Sequence, residues 1–240
     1  MNRFIGFDRQ VQLDWLDAVV GLCQEGLDFD LMAGRLDRCL ENKVVGPEAQ
    51  RKTITVLLRL WVKVPTTDQA LRDEALQLAA QVSPEERLCL HWGLSLLAYP
   101  FFRDVAATVG QLSRLQGRFS QAQVQRRMIE DWGQRTTLER AVRRLLRTLI
   151  DWHVLQETDV RGSYEATPPR QTENQPLALW LLDCALRAHE AEQVLLRELE
   201  QLAYTFPFDL APFANALRHS DRFEISRQGL DLEMVAPVGM

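Results

Sequence analysis

Apolar residues recur three and four positions apart through most of the first half of the chain, the spacing of helices with one buried face. In VQLDWLDAVVGLCQEG the series Val11, Leu13, Trp15, Leu16, Val19, Val20, Leu22 and Cys23 predicts a helix that Gly26 ends. A second helix is expected over 28–40. The segment GPEAQRKTITVLLRLWVKVP opens with Pro47 where a missing N–H is tolerated and stops before Pro65, with Ile54, Val56, Leu57, Leu60, Trp61 and Val64 toward the core. Two more helices follow over 67–82 and 83–98. The latter begins SPEE, in which Ser83 caps, Pro84 takes the first helical position and Glu86 closes a capping box. After Pro100 the stripe Phe101, Val105, Val109 and Leu112 marks a further helix. With no credible strand among these segments, residues 1–117 are expected to form an all-α bundle.

From Arg118 the pattern changes. FSQAQVQRRMIEDWG predicts a helix capped by Ser120, Gly133 a turn, and WGQRTTLERAVRRLLRTLIDWHVL a second helix capped by Thr136 or Thr137. VLQETDVRGSYEATPP then holds two short runs of β character around Arg161 and Gly162, a hairpin signal. Helix, turn, helix and hairpin over 118–170 is the order of a winged helix-turn-helix, with the helix over 101–116 able to serve as the first of its trio. Beyond Pro168 and Pro169, in 171–240, the order recurs. LALWLLDCALRAHE and EQVLLRELEQLAY read as helices, FDLAPFANALRH as a third, and RFEISRQGLDLEMV as a hairpin around Gln228 and Gly229. That region is either a second winged helix or a helical cap with a β-ribbon. The fold class expected is therefore mainly α: a helical bundle, a winged helix-turn-helix and a C-terminal region of helices with a β-hairpin.

Charge sharpens the middle of this picture. The 240 residues carry a formal net charge of −5, yet residues 114–170 hold eleven Arg against seven Asp or Glu, leaving −9 for the remainder. One locally basic surface on an acidic body attracts polyanions. On a helical wheel Arg140, Arg143, Arg144 and Arg147 share one face, with Thr136, Thr137 and Asp151 among or beside them, while Leu138, Ala141, Val142, Leu145, Leu149 and Trp152 lie opposite. Arg140 with Arg144 and Arg143 with Arg147 are like-charge pairs four apart, each costing a few tenths of a kcal/mol unless an anion is present. Glu139 with Arg143 and Arg147 with Asp151 compensate in part. Arg126 and Arg127 on the preceding helix, Arg135 ahead of the basic helix, and Arg161 with Tyr164 in the hairpin fall where a winged helix meets phosphates.

Other chemistry is sparse. Cys23, Cys39, Cys89 and Cys184 are scattered and read as small buried residues of a reducing compartment. His91, His153, His189 and His219 stand far apart, without metal spacing. No phosphate-loop, dinucleotide or nucleophile-elbow motif occurs. The six tryptophans sit in apolar stripes, as core residues do. The expectation is a non-enzymatic protein with no cofactor, no catalytic residues, no metal and no membrane partner, located in the cytoplasm. It would bind double-stranded DNA or, alternatively, act as an adaptor whose winged helix docks an acidic protein.

The run HWGLSLLAYPFFRDVAATVGQL and the arginine segment after it resemble the BrxA-type family of BREX phage-defence proteins. The likeness lies in Tyr99 to Asp104, in Trp132, Thr136 and Arg140, and in the closing turn from Asp151 to Leu155, where His153 stands in place of the usual glycine. It covers residues 90–155. The resemblance implies an all-α, DNA-binding accessory protein with a NusB-like helical part and a winged-helix part, working beside other protein subunits of an anti-phage assembly. This chain differs in its long N-terminal bundle and its extra C-terminal third.

Overall fold

The expected helical first half forms. It comprises α1 (Leu13–Gln24), α2 (Phe29–Leu40), α3 (Pro47–Trp61), α4 (Gln69–Ala79) behind a 3-10 turn at Thr66–Asp68, α5 (Pro84–Ala98) and α6 (Pro100–Gln116). The structure is a computed structural model that describes residues 4–228 and 232–239. α2 and α5 start at residues whose side chains satisfy free N–H groups. The Asp28 carboxylate accepts from the Leu31 N–H at 2.9 Å, and the capping box of Ser83 and Glu86 is present in full.

The chain continues through β1 (Arg118–Ser120), α7 (Gln121–Trp132), α8 (Leu138–Asp151), β2 (Leu155–Glu157) and β3 (Ser163–Ala166), with β3 between the other two strands and antiparallel to both. α7 is capped by Ser120, with Gln123 completing a second capping box. β1, three residues long, is too short to announce itself by alternation; Phe119 finds its place opposite Tyr164. The last third comprises α9 (Gln175–Arg187), β4 (Val194–Leu195), 3-10 turns at Leu196–Gln201, Ala203–Thr205 and Ala211–Phe213, α10 (Ala214–Leu217), β5 (Phe223–Gln228) and β6 (Leu232–Pro237). Here too the last strand lies in the middle of an antiparallel sheet. Among the described residues the protein is thus mainly helical with two small three-stranded sheets. The succession helix, short strand, two helical stretches and hairpin occurs twice.

Two expectations for this third are corrected. The segment 192–204 is not one helix: Val194 and Leu195 pair with Val235 and Met234, and only 3-10 turns follow. The helix expected over 208–219 shrinks to a 3-10 turn and the four residues of α10, and Pro212, inside the expected span, has no N–H to give a longer helix. The hairpin of β5 and β6 forms, and its turn, expected at Gln228 and Gly229, lies outside the described residues.

One contiguous apolar cluster unites these parts. At its centre lie α5 and α9, buried on nearly every side from Leu88 to Leu96 and from Leu177 to Leu186. They approach so closely that a Cβ on Gly93 would stand 2.5 Å from the Trp180 ring. All six tryptophans are buried. The Trp92 indole donates to the Tyr204 carbonyl at 2.9 Å, and its ring meets Phe206 and Trp152 at centroid distances of 5.5 and 6.1 Å. Trp92 thereby ties α5 to the central and C-terminal parts together. Asp183, buried in α9, is paired with Arg187 at 2.6 Å and Arg222 at 3.3 Å, so its charge does not stand alone. Cys89 and Cys184 are buried as expected, whereas Cys23 is half-buried and Cys39 is exposed.

Residues 5–12 form an extended strap along α8. The Val11 N–H donates to the Thr148 hydroxyl at 3.0 Å and the Trp152 indole donates to the Val11 carbonyl at 3.0 Å. Phe7 inserts against Tyr99 and Phe102, with centroids 5.3 and 5.5 Å away.

His91 is also internal. Its Nδ1 accepts from the Trp61 indole at 3.1 Å, which leaves Nε2 to carry the proton toward Asp17, 3.3 Å away. Burial lowers the His91 pKa from the ordinary 6.5, with the Asp17 carboxylate opposing. The unfolded chain therefore takes up a proton near pH 6.5 before the folded one does. Stability supplied by neutral His91 is full above that pH and is lost as pH falls below it toward the folded value. Urea titrations at pH 7.5 and 5.5 should show the advantage of wild type over His91→Gln shrinking at the lower pH; a constant difference would refute the neutral assignment.

Candidate nucleic-acid interface

α8 is the most amphipathic helix of the chain in its sequence, and its packing follows that division. Leu138, Ala141, Val142, Leu145, Leu146, Thr148 and Leu149 are buried, while Arg140, Arg143 and Arg147 are exposed. Arg140 and Arg143 have no hydrogen-bond or ion-pair partner among the described residues. Arg147 reaches Glu157 of β2 at 3.3 Å, an exposed pair worth less than about 1 kcal/mol. Thr136 and Thr137 are exposed at the head of the helix. Neither caps it: Thr137 occupies the N-cap position in helical geometry, with no side-chain bond to the helix. A turn from the Leu138 N–H to the Arg135 carbonyl, 3.1 Å, starts the helix in place of a cap.

Arg144 departs from its expected place on this face. It lies at the shoulder where the strap crosses α8, half-buried, and donates to the Asp8 carbonyl at 2.8 Å. Burial and the neighbouring charge of Arg9 lower its pKa, with Arg140 and Arg143 adding to the effect and Asp8 opposing it. These guanidinium groups crowd one another without enough internal anions, the condition an external polyanion relieves.

The remaining candidates divide by burial. Arg126 is exposed on α7, Arg127 is half-buried and donates to Gln111 at 3.3 Å, and Arg161 is exposed in the turn between β2 and β3. The Gln125 amide donates to the Glu139 carbonyl at 3.1 Å and so fixes α7 against the start of α8. Arg135 and Thr137 line a cleft of about 560 Å³ together with Lys52, Arg59 and Tyr99. The bundle thus adds Lys52 and Arg59 beside the head of α8, two cations far away in sequence that only the tertiary fold brings there. Tyr164 is a correction: it is 3% exposed and stacks on Phe119, centroids 6.1 Å apart, so it cannot clamp a phosphate. On β3 it faces inward, while its neighbour Glu165 meets Arg118 at 2.9 Å.

Residues of the family-like segment meet in space. The Trp132 indole, at the end of α7, donates to Asp104 on α6 at 2.9 Å, and Arg103 donates to the Ala188 carbonyl at 2.7 Å beyond α9. They tie α6 to α7 on one side and to the end of α9 on the other. α8 itself closes through His153, whose φ of 55° lies in the left-handed region. The bonds from His153 N–H to Ile150 and from Val154 N–H to Leu149, 2.8 and 3.0 Å, complete a Schellman turn that glycine fits best. His153→Gly should therefore raise stability by about 1 kcal/mol, or roughly 3 °C in melting temperature; a fall on thermal denaturation would contradict this.

Compared with protein-family models, curated proteins and solved structures, the chain gives no match. No described helix is long and apolar enough to cross a membrane.

Proposed function

We propose that the chain grips double-stranded DNA through a winged helix built from α6, β1, α7, α8, β2 and β3. One observation carries this reading: α8 bears three arginines on an exposed face, two of them unpaired, and nothing described covers that face. The element order and the central position of β3 support it, since a winged helix places its third strand between the first two. α8 would enter the major groove head first, with Thr136, Arg140, Arg143 and Arg147 toward bases and phosphates, and Arg161 in the hairpin would touch the flanking backbone. Arg126 on the preceding helix and Arg135 at its end would add phosphate contacts.

The C-terminal third, with the same element order, would be a second winged helix whose middle helices are cut to short turns. The role that follows is non-enzymatic: a DNA-binding accessory, as the likeness to the BrxA-type family suggests, beside other protein subunits of a BREX-like anti-phage assembly.

Fluorescence anisotropy of a labelled duplex across salt tests the reading. With all six of these arginines on phosphates, affinity should fall with a log–log slope of about −5. A protein that shifts no duplex at low salt, and retains an acidic protein instead, would replace this reading with that of an adaptor.

A further inference from the structure

Beside the shoulder of α8 a second, smaller cavity opens between the strap, α1, the loop from α2 to α3 and the first turns of α3. It has a volume of about 250 Å³, and its polar side chains include Arg9, Gln12, Trp15, Lys43, Thr53 and Arg144. No carboxylate is among its lining residues. Trp15 is 6% exposed, and its indole N–H has no hydrogen-bond partner. The Arg9 Nε–H is likewise buried without a hydrogen bond, its nearest carboxylate being Asp8 at 3.6 Å. Lys43 leans toward Asp14 at the rim, 3.4 Å away. Thr53 contributes no free donor, because its hydroxyl donates to Ala49 at 3.0 Å. α3 starts behind Gly46, which has no side chain to cap it, so the positive end of the helix adds to the same field.

The cavity therefore gathers donors and cations, and its side-chain acceptors are the neutral oxygens of Gln10, Gln12 and Thr53. Two guanidinium groups 135 positions apart in sequence, Arg9 and Arg144, converge on it with a lysine and an orphan indole N–H. Buried donors without acceptors and like charges held together both cost free energy. A tetrahedral oxyanion supplies the missing lone pairs and the missing charge at once. We infer that this cavity binds a phosphate group. The phosphate belongs either to a small free ligand or to a nucleic-acid backbone lying along α8; the inference stands on the cavity and does not require the duplex reading.

Calorimetric titration of the full chain with inorganic phosphate, at ionic strength matched by chloride, tests it. Saturable binding is expected in wild type, about tenfold or more weaker in Arg9→Gln and Lys43→Gln, and unchanged in Arg35→Gln, which removes a distant exposed charge. Arg9 is a half-buried residue of the strap itself, so if Arg9→Gln melts early, Lys43→Gln on the exposed loop carries the result. Duplex titrations distinguish the source. For a backbone phosphate, Lys43→Gln lowers the salt slope by about 0.9 and phosphate competes with duplex. For a free ligand, phosphate binds and the slope is unchanged. Phosphate binding that survives both substitutions overturns the inference, as does absence of binding together with an unaltered duplex slope. Neither result touches the exposed face of α8, whose own variant fails or succeeds separately.

Discussion

Replacing Arg140, Arg143 and Arg147 together by Gln should weaken duplex binding by about three orders of magnitude at low salt and leave the fold intact. Each arginine on a phosphate or base edge makes a charge-assisted hydrogen bond, worth about 1.5 kcal/mol at the low end, and three such losses come to about 4.5 kcal/mol. The log–log salt slope should shrink by about 2.7, since each lost contact releases one counterion fewer. Stability should barely change. All three side chains are exposed, Gln is nearly as good a helix former as Arg, and the substitutions relieve the like-charge pairs with Arg144 and within the face itself. The lost pair between Arg147 and Glu157 costs less than about 1 kcal/mol. Arg144 is left out because its bond to the Asp8 carbonyl anchors the strap, so its removal would mix folding with binding. The outcome that sinks the groove-facing role is a triple variant with wild-type affinity and slope at an unchanged melting temperature.

What sequence could and could not reveal follows the range of each interaction. The capping box at Ser83, the cap at Ser120, the arginine face and the hairpin at Gly162 were legible because each is decided within a few residues. Tyr164 was misplaced because its partner Phe119 belongs to β1, a strand that exists only once β3 lies beside it. Without β1 there was no way to tell which side of the hairpin faces inward. The strap escaped notice for a similar reason. Ile5, Phe7 and Val11 alternate too loosely to announce a strand, and the strap's hydrogen bonds go to Thr148 and Trp152, more than 130 positions away. Thr148, a lone polar residue on the apolar side of α8, was the one local hint. The cavity beside the strap has residues from three separate stretches of chain, 9–15, 43–53 and 144, so no spacing rule could have found it. In the C-terminal third, local helical tendency around 196–201 yielded to the pairing of β4 with β6, a tertiary preference overriding propensity.

The largest stability effect should come from a single methyl group, at Gly110. This glycine lies in α6 where the 3-10 turn Ala203–Thr205 crosses it, and a Cβ there would overlap the Ala203 carbonyl oxygen and come within 2.8 Å of the Phe206 Cβ. In an open helix Gly→Ala gains up to about 1 kcal/mol from backbone entropy. At Gly110 the opposing group is backbone and cannot rotate aside, so α6 and the turn must separate, at a cost of about 3 kcal/mol. The net loss of about 2 kcal/mol lowers the melting temperature by roughly 4–8 °C. The same separation loosens the seat of Trp92, which donates to Tyr204 and packs on Phe206 in that very segment. Gly34→Ala supplies the contrast: it sits in α2 with nothing within 4 Å of its added methyl group, so it should stabilise slightly. If Gly110→Ala melts at or above the temperature of Gly34→Ala, the close crossing of α6 by the C-terminal segment is wrong. If it melts lower, the crossing braces α6, and duplex affinity that holds in the folded range would show that the brace acts apart from the α8 face proposed to bind.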